Sequence, residues 1–366
     1  AAFFKIESGE SRRIEVRVPL DQDPTIGPLS KRKSAGNFEN PNNQTAALEI
    51  PDAKFKFLYD AAVQTVLLLT AEEVFPGPYT YRRFWFRDAC LIINALLGLG
   101  LSDRTRRLIR SFPDRQTFTG YFKSQEGEWD SNGQVLWIAD RFHQLTGQNF
   151  EAGLLKSLMK GAEWISKKRR RKGDGKAHDG LLPAGFSAEH LGPNDYYYWD
   201  NFWCLAGLKA AVRLGRISKS KGKPEKIEDT IREYQDRIFS SIPDRVGDSN
   251  YNGIPASPYR RMDAGAVGSL VADYPLQITP PGDPMIMNTV YYLMEHCFYG
   301  NAFFQDMIHS GINTYLTLDI AQTLLRSGDF RYRQLIDAVA DYASPTGQWP
   351  EAINPLTGGG CMGDGQ

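Results

Sequence analysis

Residues 84–101 read FWFRDACLIINALLGLGL, and this stretch carries the pattern that decides the fold class. It opens with an aromatic turn, Trp85 to Asp88, that contains one arginine and one aspartate. An apolar segment follows, and its large residues recur at the 3.6-residue spacing of an amphipathic helix: Ala89, Ile92, Leu96 and Leu99. The pattern predicts a helix that buries one face and begins beside charged side chains in a loop.

The same helical spacing recurs along the chain from Asp52 onward, whereas the alternation typical of strands is almost absent after residue 50. The helical segments fall near residues 55–69, 135–145, 154–165, 202–212, 227–238, 285–298, 313–326 and 331–343. We therefore predict a mainly α domain over residues 52–366, built from roughly ten or eleven helices arranged as hairpins.

The first fifty residues differ from the rest of the chain. Residues 14–20 alternate apolar and polar side chains, as a half-buried strand does, which predicts that residues 1–20 are the remnant of an N-terminal β domain. Residues 21–51 are rich in proline, glycine and asparagine and are interpreted as a linker. At the other end, the chain stops without a closing helix, so we expect the helical domain to lack its last helix.

The overall composition excludes several classes of function. The 43 basic residues equal the 43 acidic ones, so neither nucleic acid nor a membrane surface is an expected partner. The four cysteines are far apart, and no CxxC pair or closely spaced histidine pair predicts a metal site. Aromatic residues reach 12%, and many tyrosines and tryptophans lie in polar, glycine-rich loops, where they suit the stacking of sugar rings.

Five predicted helix-opening loops share one chemistry, which is an aromatic or basic side chain close to a carboxylate. These loops are residues 84–88, 128–130, 198–200, 260–263 and 348–351. A single carboxylate at a helix start is an ordinary cap. The recurrence at intervals of one or two hairpins is more specific, because a toroid of antiparallel hairpins brings alternate helix starts to one rim.

At these loops the chain resembles the six-hairpin glycosidases, the (α/α)6-barrel group that contains glucoamylases and the glucosidase domains of glycogen-debranching enzymes. Residues 85–88 resemble the Trp-x-Arg-Asp segment that grips the sugar at the non-reducing end. Residues 198–200 resemble the loop that supplies the general acid, and residues 347–351 resemble the loop that supplies the general base. The resemblance implies an (α/α)6 toroid of helical hairpins, preceded by a β-sandwich to which the N-terminal β segment belongs.

The resemblance also implies an inverting glycoside hydrolase of glucosidase type, without metal or organic cofactor, that acts on an oligo- or polysaccharide. Asp200 follows three tyrosines and Trp199, which would exclude water and keep the carboxyl protonated, so it is the predicted general acid. Glu351, in a glycine-rich loop, is the predicted general base, and Glu189 is the reserve candidate for the acid. The predicted substrate-binding residues are Trp85, Arg87, Asp88, Glu128, Trp129, Asp130, Trp199, Arg261, Asp263 and Trp349.

Two other readings of the sequence stay open. A sugar epimerase or polysaccharide lyase on the same barrel would use a histidine or tyrosine as the base. Few histidines lie in the predicted rim loops, which disfavours this alternative. A non-catalytic carbohydrate-binding domain would keep the aromatic residues without turnover. The sequence leaves the sugar, the linkage, the oligomeric state and the cellular location open.

Overall fold

The computed structural model describes residue 9 and residues 45–169, 175–187, 193–217, 224–243, 252–306 and 310–362. Backbone contacts divide the chain into two units, Ala1–Asn43 and Gln44–Gln366. The predicted strand over residues 14–20 and most of the predicted linker lie outside the described residues. The second unit contains all the elements considered below.

The described part of the second unit consists of ten α-helices, two 3₁₀ segments and five short strands. The helices are α1 Ala53–Leu69, α2 Phe86–Gly98, α3 Ser102–Arg110, α4 Ser131–Thr146, α5 Ala152–Lys168, α6 Tyr198–Ile217, α7 Pro224–Ser241, α8 Pro284–His296, α9 Thr314–Ser327 and α10 Tyr332–Asp341, with 3₁₀ segments at Phe112–Arg115 and Ala264–Ala272. Over the described residues, none of these helices has the length together with the apolarity that crossing a membrane requires.

The helices form two concentric layers, as the hairpin pattern predicts. In the inner layer α2 packs on α4, α4 on α6, α6 on the 3₁₀ segment Ala264–Ala272, and that segment on α9. In the outer layer α3, α5, α7, α8 and α10 each pack between or against neighbouring inner elements, and α1 contacts α10. The layers alternate along the chain, so all inner elements begin at the same end of the domain.

The inner helices owe their position to apolar burial and to close backbone contact. Residues 131–140 of α4 and every residue of the segment Ala264–Ala272 are buried. The contact of α4 with α6 is the most extensive between any two described helices. Gly133 and Gly207 make it possible, because a Cβ atom on Gly133 would lie 2.3 Å from the backbone carbonyl of Trp203.

Side-chain caps mark several helix starts. Asp52 Oδ1 accepts the amide of Phe55 at 3.0 Å before α1, and Asn313 Oδ1 accepts the amide of Leu316 at 2.9 Å before α9. Such caps satisfy amide groups that have no partner within the helix. The cap before α9 also fixes the loop at the rim where the inner helices begin.

A small antiparallel sheet was not predicted from the sequence. Its strands are β1 Phe298–Tyr299, β2 Ala302–Gln305, β3 Gly311–Ile312, β4 Ala352–Ile353 and β5 Gly360–Met362, in that spatial order. Strands of two to four residues are too short to display a two-residue period, which explains the omission. Pairing of Ile312 with Ile353 ties the loop before α9 to the loop that carries Glu351.

We predict that Gly133→Ala destabilises the protein by about 1–3 kcal/mol, because the added methyl group overpacks the contact of α4 with α6. Chemical denaturation followed by circular dichroism measures this change. Gly153→Ala is the matched control, since it is a helical position in α5 with no atom within 4 Å of the new methyl group. The control is expected to be neutral or slightly stabilising. An equal loss in both variants would contradict the close contact.

Candidate active site

A cavity of about 490 Å³ opens at the end of the domain where the inner helices begin. Its wall combines loops that are far apart in sequence, before α2, before α4, before α9 and around Glu351. Six of the predicted site residues line it: Trp85, Arg87, Asp88, Glu128, Trp349 and Glu351. The structure therefore brings the first predicted loop and the last one into a single concave site.

The start of α2 is fixed by aromatic packing on one side and by a hydrogen bond on the other. The ring of Phe86 is fully buried and makes edge-to-face contacts with Phe112 and Phe122, at centroid distances of 5.2 and 5.4 Å. The amide of Phe86 donates to Oγ of Ser124 at 2.7 Å. With Phe86 turned into the core, the flanking Trp85 and Arg87 reach the cavity.

Arg87 joins the starts of α2 and α4 through a buried ion-pair cluster. Its Nη2 lies 3.2 Å from Oε1 of Glu128, and its Nη1 lies 3.3 Å from Oδ2 of Asp130. Burial raises the pKa of the Glu128 carboxyl to about 7, and the charges of Asp130 and Asp88 act in the same direction. Arg87 and Arg83 oppose this rise without cancelling it.

Asp88 and Glu351 contribute two further carboxyl groups to the cavity. Burial raises the pKa of Asp88, Arg87 lowers it, and the charges of Asp130 and Glu351 raise it further. Glu351 is exposed to solvent, and the hydroxyl of Tyr81 donates a hydrogen bond to its Oε2. The cavity thus contains a carboxyl group shielded from water, that of Glu128, and one open to water, that of Glu351.

Asp130 and Trp199, two of the predicted substrate-binding residues, are buried outside the cavity. Neither residue lines the 490 Å³ cavity, and their exposed fractions are 2% and 3%. Asp130 Oδ2 accepts hydrogen bonds from Nε1 of Trp199 at 2.8 Å and from Nε2 of Gln134 at 3.1 Å. Asp130 is therefore a buried link behind the cavity wall. Trp199 faces a second, smaller cavity of about 190 Å³ in the barrel interior.

The predicted general acid, Asp200, also lies away from the cavity. It is in the first turn of α6, it is 1% exposed, and it is absent from the cavity lining. The packing of α6 against α4, α5, α7 and the segment Ala264–Ala272 buries this carboxyl. Asp200 and Glu351 do not face one another across the cavity, which corrects the expectation from sequence. Glu189, the reserve acid, lies outside the described residues.

Three other predicted substrate-binding residues, Trp129, Arg261 and Asp263, also lie outside the cavity lining. Trp129 packs against both Tyr121 and Trp164, and the ammonium of Lys168 lies 3.8 Å from its ring centroid. Asp263 accepts the amide of Gly265 at 2.9 Å as a helix cap and pairs with Arg260 at 3.1 Å. Arg261 is exposed, and neither it nor Asp263 lines the cavity. Asp263 therefore follows the helix-capping alternative, which the motif alone could not distinguish.

Several lining residues were missed by the sequence reasoning. The polar and aromatic ones are Tyr81, Gln125, Phe186, Gln305, Asn313, Thr314 and Tyr315. Tyr81 had a usable signal, since it follows the proline- and glycine-rich residues 76–79 and precedes Trp85 by four positions. Gln305 and Asn313 had none, because they depend on the unpredicted sheet and on the cap of α9. Within the described residues, no cluster of histidine, cysteine, aspartate or glutamate could hold a metal ion.

Comparison with known proteins identifies the architecture. No family model matches the sequence, and no curated protein matches it. Among solved structures, a wild-type glycosidase superposes with a TM-score of 0.64 at 13% identity, covering 83% of this chain and 89% of its own. The fold is that of the six-hairpin glycosidases.

Two further structures with the six-hairpin fold superpose with similar TM-scores over a smaller share of their own chains. A rhamnosidase from Klebsiella oxytoca with rhamnose bound gives a TM-score of 0.61 at 15% identity, over 86% of this chain and 60% of that one. A family 15 glucoamylase from Hypocrea jecorina gives 0.60 at 10% identity, over 85% and 69%. The predicted (α/α)6 toroid is confirmed. At these identities the similarity concerns the fold alone.

In this six-hairpin fold, the raised pKa of Glu128 predicts a pH-dependent cost in stability. The folded protein holds a proton on Glu128 between the ordinary glutamate pKa of about 4.5 and about 7, whereas the unfolded chain does not. The free energy of unfolding of the wild type, relative to Glu128→Gln, should therefore fall by about 1–3 kcal/mol as pH rises through this window. Urea denaturation at pH 5 and pH 8 measures the difference.

Glu163→Gln is the control for this prediction, since its side chain is 66% exposed on α5. Its difference from the wild type should be the same at both pH values. A similarly flat difference for Glu128→Gln would contradict the buried environment assigned to Glu128.

Proposed function

We propose that the protein is a glycoside hydrolase of glucosidase type that inverts the anomeric configuration by means of two carboxyl groups. The observation that carries the proposal is the cavity, in which buried Glu128 and exposed Glu351 line the same space. Inversion needs one protonated carboxyl for the leaving oxygen and one carboxylate that activates water. The two environments fit these two roles, and neighbours with the same fold are described as glycosidases.

In this proposal Glu128 is the general acid, in place of Asp200. A pKa raised to about 7 by burial keeps a proton available near neutral pH, as proton donation requires. Glu351 is the general base, and the hydroxyl of Tyr81 holds its carboxylate. Arg87 and Asp88 bind sugar hydroxyls through charged hydrogen bonds, and Trp85 and Trp349 supply stacking surfaces.

The charge of the cavity favours a neutral sugar. Among its described lining residues, Asp88, Glu128 and Glu351 carry carboxyl groups, whereas Arg87 is the one cation and is already paired. A carboxylate or phosphate on the bound ring would face uncompensated negative charge. Neutral hexose glycosides are therefore the first substrates to test, with glucuronides as the comparison.

Proton NMR of the purified protein with α- and β-linked glucosides and oligosaccharides tests the proposed reaction. We expect hydrolysis in which the first product has the anomeric configuration opposite to that of the substrate. Product with retained configuration would refute inversion. An unsaturated or epimerised sugar would indicate the lyase or epimerase alternative, and saturable binding without turnover would indicate a carbohydrate-binding domain.

The role of Glu351 predicts a pair of graded losses. Glu351→Gln should lower kcat by about 10³-fold with little change in KM, because the base acts in the transition state. Tyr81→Phe should lower kcat by about tenfold, the value of one hydrogen bond to a charged group. Steady-state kinetics on the best substrate of the panel measure both effects.

Tyr79→Phe is the matched control, since it lies in the same loop and its residue is 83% exposed. It should leave kcat unchanged. The assignment of the general acid is tested with three variants, Glu128→Gln, Asp200→Asn and Glu189→Gln. If turnover is lost in Asp200→Asn or Glu189→Gln but kept in Glu128→Gln, Glu128 is not the general acid. If Glu128 is the general acid, the wild-type kcat/KM should fall as pH rises through about 7, because Glu128 then loses its proton.

A further inference from the structure

Asp130 occupies a position that neither the sequence motif nor the proposed acid–base pair explains. It immediately precedes α4, is 2% exposed, and is absent from the cavity lining. A carboxylate buried in this way costs free energy unless several donors satisfy it. The donors that satisfy it come from three different inner helices.

The three donors converge on one atom, Oδ2 of Asp130. Nη1 of Arg87 comes from α2 at 3.3 Å, Nε2 of Gln134 from α4 at 3.1 Å, and Nε1 of Trp199 from α6 at 2.8 Å. Arg87 is shared, because its Nη2 lies 3.2 Å from Glu128 in the cavity wall. Asp130 and Glu128 therefore share one guanidinium through its two terminal nitrogens, and the indole N–H of Trp199 binds the same oxygen of Asp130 as Arg87 does.

We propose that Asp130 is a positioning residue that, from behind the cavity wall, sets how fully the Arg87 guanidinium neutralises Glu128. This inference rests on the proposed function, in which Glu128 is the proton donor. Asp130 does not touch the sugar in this arrangement. It acts through Arg87, and Trp199 acts through Asp130.

The charged groups around Glu128 give the proposal a direction. Arg87 and Asp88 belong to α2, Arg83 precedes that helix, and Asp130 precedes α4; the two arginines lower the pKa of Glu128, and the two aspartates raise it. Removing the charge of Asp130 removes a repulsion and also releases Arg87 to Glu128. Both effects stabilise the ionised form of Glu128.

Asp130→Asn is the first test, because asparagine keeps the shape and can still accept the Trp199 bond. The upper limb of the pH profile of kcat/KM should move about one pH unit lower. At a pH above the Glu128 pKa of both proteins, this shift is a tenfold loss of the protonated form of Glu128. Trp199→Phe should move the limb in the opposite direction, since Asp130 is then free to hold Arg87 more strongly. A role confined to folding does not predict opposite shifts.

Asp140→Asn is the matched control on the same helix. Asp140 is also 2% exposed, accepts Nε2 of Gln144 four residues later at 2.7 Å, and accepts Nε of Arg213 at 2.8 Å. It lies outside the cavity lining. Its loss should lower thermal stability as the loss of Asp130 does, but it should leave the pH profile unchanged.

A readout that does not depend on turnover separates this inference from the proposed function. Carbon-13 NMR of protein labelled at the glutamate carboxyl groups follows the titration of Glu128, whose signal is identified by its absence in Glu128→Gln. A lower pKa of Glu128 in Asp130→Asn, with no glycoside hydrolysed by any variant, would uphold the positioning role and refute the proposed function. No change in that pKa, or an equal change in Asp140→Asn, would overturn the positioning role.

Discussion

Arg87 forms one ion pair with Glu128 through Nη2 and another with Asp130 through Nη1. These two pairs join the starts of α2 and α4 in one buried charge cluster. The indole of Trp199 extends the cluster to α6. Buried charges are tolerated in proteins when each is paired and hydrogen-bonded, and here that requirement fixes three inner helices relative to one another.

The layered architecture explains why carboxyl groups collect at one end of the domain. All inner elements begin at that end, and the positive end of each helix dipole favours an acidic residue in its first turn. Asp88 and Asp200 lie in such first turns, and Asp130 and Asp263 directly precede their elements as N-cap residues. An acid at a helix start is thus expected for stability alone, so membership of the site depends on whether the side chain reaches the cavity.

The difference between Asp88 and Asp200 illustrates what the loop motif could not supply. Both residues follow a tryptophan within the first turn of an inner helix, yet Asp88 lines the cavity and Asp200 is enclosed. Each is the third residue of its helix, so the position on the helix does not separate them. The difference lies in the packing, because α2 packs on α3 and α4, whereas α6 packs on α4, α5, α7 and the segment Ala264–Ala272.

The sequence by itself determined the helical class, the positions of nearly all the helices and the chemistry of the loops at their starts. These features depend on local periodicity and composition, which a single chain displays directly. The pairing of the loop at Trp85 with the loop at Glu351 was also anticipated, through a resemblance in short motifs. Only the tertiary structure decided that Glu128 and not Asp200 shares the cavity with Glu351, that Tyr81 holds Glu351, and that Asp130 lies behind the wall. Those outcomes depend on contacts between residues 41 to 270 positions apart, and such contacts are set by how whole helices pack rather than by any local pattern.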